Sequence, residues 1–125
     1  MACAAALASI EVIEEEDLCQ RSAHLGEILL RRMKEMEQRY PIIGEVRGIG
    51  CLLGIELVKD KSTKEPFEKA GQMVYQKAFA KGLAWIPAGH ILRMSPPMIM
   101  DDEVALKGLA IIEEAIDEVV KELCR

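Results

Sequence analysis

The hydrophobic pattern changes period at a proline, and that change decides what class of fold is open to the chain. Leu18, Leu25, Leu29, Met33, Met36 and Tyr40 follow one another at spacings of seven, four and three. That is a single apolar stripe on a long helix over residues 17–40, with Arg31, Arg32, Lys34, Glu35 and Glu37 mostly on its wet side. Pro41 ends the helix, because the residue before a proline is pushed out of helical geometry. Beyond it the period falls to two: Leu53, Ile55 and Leu57 share one face of a strand over 51–58, and Gly54 and Glu56 share the other. A long amphipathic helix followed by a half-buried strand points to helices and sheet within one α+β domain.

The remaining segments carry similar marks. Residues 42–48 form a short extended piece before the firm strand. Residues 59–66 form a polar loop, and Pro66 at a first-turn position opens a helix that Gly82 closes. Residues 83–86 and 91–94 are expected as two further short strands, separated by Pro87 and Gly89. Asp101 is the expected cap of a last helix, with Asp102 and Glu103 in the first turn, where the helix dipole favours acids. Leu109, Ile112, Ile116, Val119 and Leu123 mark its buried face. The order predicts one α+β domain, a small, mainly antiparallel sheet with helices packed on one face.

Residues 2–15 are the odd element. Ala4, Ala5, Leu7, Ala8, Ile10, Val12 and Ile13 make this segment apolar almost all round. No Ser, Thr, Asp or Asn precedes it to accept its first amide protons. A signal peptide is a poor account, since the first basic residue is Arg21 and the segment runs into Glu14, Glu15 and Glu16. The simplest expectation is a helix cut from a longer chain, with an apolar face left open to self-association.

Several function classes fall away on composition. The chain has 125 residues, 21 Asp plus Glu against 16 Lys plus Arg, and a net charge of −5. An acidic domain without a basic stripe, and with one Trp, two Tyr and two Phe, suits no nucleic-acid surface. No run approaches the ~18 apolar residues of a membrane span. Cys3, Cys19, Cys51 and Cys124 show neither a CxxC pair nor zinc spacing, so four free thiols and a reducing, cytoplasmic setting are expected.

The chemistry-bearing residues mostly have ordinary explanations. His24 and His90 lie 66 positions apart with no third ligand in sight, which suits no metal site. Gly44, Gly48, Gly50 and Gly54 match neither phosphate-loop pattern and run into a strand. No lysine has the apolar context a Schiff-base nucleophile needs. Arg93 resists such explanations, because it interrupts the apolar run Ile91-Leu92-Arg93-Met94 just before Ser95-Pro96-Pro97. A guanidinium half-buried on such a strand needs an anion, either a structural carboxylate or a ligand. Arg47 poses the same question less sharply, since an arginine beside a turn often bonds nearby carbonyls.

At this point a family resemblance enters. Ile91-Leu92-Arg93-Met94-Ser95-Pro96-Pro97-Met98-Ile99-Met100, followed by an acidic helix start, resembles the C-terminal signature of class III pyridoxal-phosphate (PLP) aminotransferases. That family includes 4-aminobutyrate, ornithine and acetylornithine aminotransferases and dialkylglycine decarboxylase. Residues 2–8 resemble the helix that enters the family's small domain, and residues 44–57 its central glycine-marked strand. The resemblance implies that residues 1–125 are a single C-terminal small domain of a fold-type-I enzyme. The large domain, with the Schiff-base lysine and the PLP phosphate cup, would lie outside the chain. It implies an enzyme that exchanges amino groups between an amino acid or amine and a 2-oxo acid, works as a homodimer, and is inactive as this piece alone. Arg93 takes the family's substrate-carboxylate position, and His90 matches no functional one. Two other readings stay open: a stand-alone amino-acid-binding regulatory module of ferredoxin-like build, and a purely structural domain with Arg93 paired to an internal acid.

Overall fold

The computed structural model describes residues 1–123. Its elements are α1 (Ala2–Glu15), α2 (Leu18–Arg39), β1 (Ile43–Ile49), β2 (Leu52–Leu57), α3 (Glu68–Ala80), β3 (Ile91–Met94) and α4 (Asp102–Leu123). The three strands form one antiparallel sheet in the order β1-β2-β3, and α2, α3 and α4 cover one of its faces. This is the expected α+β build.

The core is aliphatic and sits between sheet and helices. Leu25, Leu29, Met33 and Met36 of α2 meet Val46, Leu53, Ile55, Leu57 and Leu92 of the sheet. Leu109, Ile112, Ile116 and Val119 of α4 close the layer. Burying a side chain of this size stabilises by ~1.5–3 kcal/mol relative to exposure, enough to hold α4 in place. Tyr40 is the extended residue that ends α2 at Pro41, with φ −102° and ψ 126°. Asp17, at φ 48°, breaks α1 from α2.

One acid lies in this layer. Glu113 of α4 is buried and accepts from Arg32 Nη2 at 2.7 Å and Arg39 Nη1 at 2.5 Å. Two guanidiniums from the surface of α2 thus offset the desolvation of one carboxylate and lock α2 to α4.

Two expectations are corrected. Residues 83–86 are not a strand. Their alternation is real, for Leu83 and Trp85 pack on the core while Ala84 and Ile86 are exposed, but no neighbouring strand pairs with them. Alternation reports a two-sided environment and says nothing of a hydrogen-bonding partner. The third helix starts at Glu68 rather than Pro66, because Pro66 forms an isolated bridge with Val58 that holds the loop back against β2.

α1 buries no residue, and Leu7, Ile10 and Val12 stand 62%, 53% and 44% exposed. The helix is therefore a lead-in touching α2 rather than a layer of the core. No helix among the described residues is long and apolar enough to cross a membrane.

Candidate functional site

β3 shows why Arg93 stands where it does. Leu92 points into the core at 2% exposure, so the period-two geometry of the strand turns Arg93 to the face opposite the helices. There it is exposed rather than half-buried, which corrects the expectation from the sequence. Among the described residues no carboxylate forms a salt bridge or hydrogen bond with its guanidinium. An exposed arginine needs no anion to offset desolvation, and the internal-acid reading finds no partner here.

Beside it runs a cleft of about 450 Å³, lined by Leu83, Trp85, Pro96, Val104, Leu109 and Arg93. Trp85 is braced edge-on by Tyr75, with ring centroids 5.2 Å apart. The unpaired segment 83–86 forms one wall and the start of α4 the other. The sequence marks Leu109 as core and 83–86 as a strand, but nothing in their local pattern shows that these residues face one another across a cleft.

Register completes the outer face of the sheet. Gly54 pairs with Arg47 on one side and with Arg93 on the other, so the three lie in one row. Glu45 pairs with Glu56 in the next row, and Ile49 with Leu52 at the hairpin end. Arg47 is spoken for: its Nη1 donates to Glu56 Oε2 at 2.9 Å and to Glu45 Oε2 at 3.3 Å, bridging two acids that would otherwise repel. It bonds carboxylates, not the nearby carbonyls its turn position suggested. His90 Nε2 lies 3.6 Å from the same Glu56. The row therefore holds one satisfied guanidinium and one without an anion.

The Arg47 hydrogen bond, helped by its charge, holds the Glu56 carboxyl below its ordinary value against the opposing effect of desolvation. A carboxyl with a lowered folded pKa adds stability above its unfolded pKa and loses it as pH falls through the folded value. Glu56→Gln should therefore lower Tm by a constant small amount near neutrality, equivalent to ~0.2–1 kcal/mol for a pair whose arginine is half exposed. The gap to the wild type should begin to close as pH falls below about 4.3, the unfolded value, and shrink further through the lower folded value. Thermal melts of both proteins between pH 7 and 3 check this, and a gap that persists undiminished at pH 3 refutes it.

The remaining candidates stay apart from this face. His24 Nε2 meets Asp102 Oδ2 at 3.0 Å, and no group that could hold a metal occurs among the described residues. Cys3, Cys19 and Cys51 are free thiols, and Cys124 lies outside the described residues. No lysine is buried. Lys77, Lys81 and Lys121 are hydrogen-bonded first by Glu122, Glu114 and Asp117 respectively, which raises their pKa. A Schiff-base nucleophile needs a desolvated ammonium and the opposite shift, and these three lysines offer neither. Mixing the chain with PLP and reducing with borohydride should label lysines only in scattered, substoichiometric fashion; one lysine labelled one-to-one would contradict this.

Together these features define a small α+β domain that presents one guanidinium without an anionic partner among the described residues from its edge strand, beside an apolar cleft. The chain belongs to the class-III aminotransferase family, whose description matches residues 1–116. It is 45% identical over 122 residues to the 5-aminovalerate aminotransferase DavT of Pseudomonas putida, covering 95% of this chain and 28% of that protein. It is 41% identical over 119 residues to an alanine/serine racemase of Pyrococcus horikoshii, covering 92% of this chain and 24% of that one. A solved amine transaminase from an uncultivated Pseudomonas species, in its PLP-bound form, superposes with a TM-score of 0.88 at 32% identity. That match covers 94% of this chain and 27% of the transaminase. The chain thus spans about a quarter of the length of these relatives.

Proposed function

We propose that this chain is the C-terminal small domain of a longer, PLP-dependent class-III aminotransferase, and that Arg93 binds the carboxylate of its amino-acid and 2-oxo-acid substrates. The observation that supports this reading is an arginine without an anionic partner among the described residues, lining an otherwise mostly apolar cleft. A planar guanidinium holds a carboxylate by two parallel hydrogen bonds, which fixes orientation as well as position. The apolar walls suit the rest of a small substrate.

PLP would be held by residues outside this chain, in keeping with the lysines described above. A large domain on the same polypeptide and a second copy of the whole enzyme are the partners this reading requires, in a cytoplasmic setting. One relative is an aminotransferase by name and another a racemase. Both names denote chemistry on amino acids, so a carboxylate clamp serves either, and the clamp does not depend on which reaction the longer polypeptide performs. Comparing substrates tests the reading: Arg93→Ala in the longer polypeptide should harm amino acids far more than amines that lack a carboxylate. Equal harm to both removes the clamp.

A further inference from the structure

A glycine in the middle of a strand weakens it, through lost backbone entropy and a missing side chain, and often marks a place where something approaches closely. Two other glycines of this sheet are explained inside the chain. A Cβ at Gly44 would stand 2.6 Å from Val58 Cγ1, and one at Gly48 would stand 2.5 Å from the Leu52 carbonyl oxygen. Gly54 has no such reason. It is not among the glycines of positive φ, and an added Cβ would meet nothing closer than Ile91 Cγ2 at 3.8 Å, an ordinary contact. The fold has room for a side chain at the position directly paired with Arg93, yet has none there.

We propose that Gly54 is a specificity-determining residue of the carboxylate site. Gly54 does not line the cleft itself; its bare backbone leaves clear the outer-face floor between the stems of Arg47 and Arg93, so that an anion can reach the Arg93 guanidinium from that side. The inference rests on the role of Arg93 proposed above and adds the shape of the site to it. Directly opposed Cβ atoms on neighbouring strands stand about 4.5–5.5 Å apart. A β-branched side chain at 54 would therefore lie against the Arg93 stem, fill the space an anion needs, and displace the guanidinium. Arg47 on the far side, tied to Glu45 and Glu56, bounds the floor without competing for the anion.

Two measurements on Gly54→Ala and Gly54→Val test this, with Arg93→Ala alongside. Thermal unfolding of the 125-residue chain should show Tm unchanged or raised, since both substitutions suit a strand with open space above it. In the cofactor-loaded longer polypeptide, Gly54→Val should raise KM for carboxylate-bearing substrates roughly tenfold or more, because displacement by about 1 Å can cost up to about 10²-fold. Amines without a carboxylate should be affected far less, and Gly54→Ala should fall between. A Tm lowered by Gly54→Ala overturns the proposal, since the glycine then serves the fold. So does an equal effect on both substrate classes, which marks another chain segment packed over the position. No effect on either class overturns it as well. If Arg93→Ala leaves carboxylate substrates untouched, the carboxylate reading falls, and this inference with it. If Arg93→Ala acts as expected and Gly54→Val does not, only the inference about Gly54 falls.

Discussion

Arg93→Ala is expected to lower kcat/KM for amino-acid substrates of the longer polypeptide by roughly 10²-fold or more, while leaving the thermal stability of this domain nearly unchanged. The first figure follows from charge-assisted hydrogen bonds of ~1.5–3 kcal/mol each, set against 1.36 kcal/mol for each factor of ten in rate. Losing most of a two-pronged contact therefore costs about two orders of magnitude. The second follows from the structure: Arg93 is exposed, and no internal acid is left unpaired when it goes. Surface substitutions of that kind usually stay within about 0.5 kcal/mol. Arg93→Lys should recover little, because a point charge cannot reproduce the planar fork. Steady-state kinetics on an amino acid and on a carboxylate-free amine, with melts of each variant, check both halves. A lowered Tm with equal kinetic losses would identify Arg93 as scaffold.

The position of Arg93 in sequence was informative, but its setting was not. Reading Ile91-Leu92-Arg93-Met94 as a uniformly apolar strand implied a half-buried charge in need of an anion. The strand is two-sided: Leu92 faces the core and Arg93 faces away. Periodicity could have shown this, had the arginine been read as half of an alternation rather than as an interruption. The helices α2 and α4 were legible almost residue by residue, because their stripes repeat over 22 residues each. Short elements were less so. Residues 83–86 have a strand's alternation without a strand's partner, and pairing is a property of the whole sheet. For the same reason, Gly54 could be placed on the outer face of β2 from sequence, but its pairing with both Arg47 and Arg93 could not. Register joins residues some forty positions apart, and nothing local encodes it. The meeting of the cleft walls is hidden on the same ground, since they come from segments that come together only when α4 docks.

Gly71→Ala should destabilise the domain even though alanine is the better helix former, and the contrast with Gly54 makes the case. Gly71 is buried in α3, where it faces the turn that launches β3. A Cβ there would lie 2.0 Å from the Gly89 carbonyl oxygen and 3.2 Å from the His90 Cα. Both neighbours are backbone, so no side chain can swing aside, and either α3 or the turn must retreat. Exchanging glycine for alanine in a helix gains ~1 kcal/mol. Overpacking typically costs ~1–3 kcal/mol and occasionally more, and a clash with a backbone carbonyl belongs at the upper end. The net loss should be about 2 kcal/mol, or roughly 6–10 °C in Tm for a domain of this size. The consequence reaches the site, because the Leu57 amide donates to the His90 carbonyl at 2.8 Å and Ile91 follows directly into β3. Pushing the turn outward shifts the strand that carries Arg93, so in the longer polypeptide Gly71→Ala should raise KM for carboxylate substrates as well as lower Tm. Gly54→Ala, which has open space above it, should do the second not at all. Paired melts of the two variants separate a glycine required by close packing from one required by what binds. Equal Tm values for Gly71→Ala and the wild type would mean that α3 does not bear on the turn at residues 89–90 as closely as the structure shows.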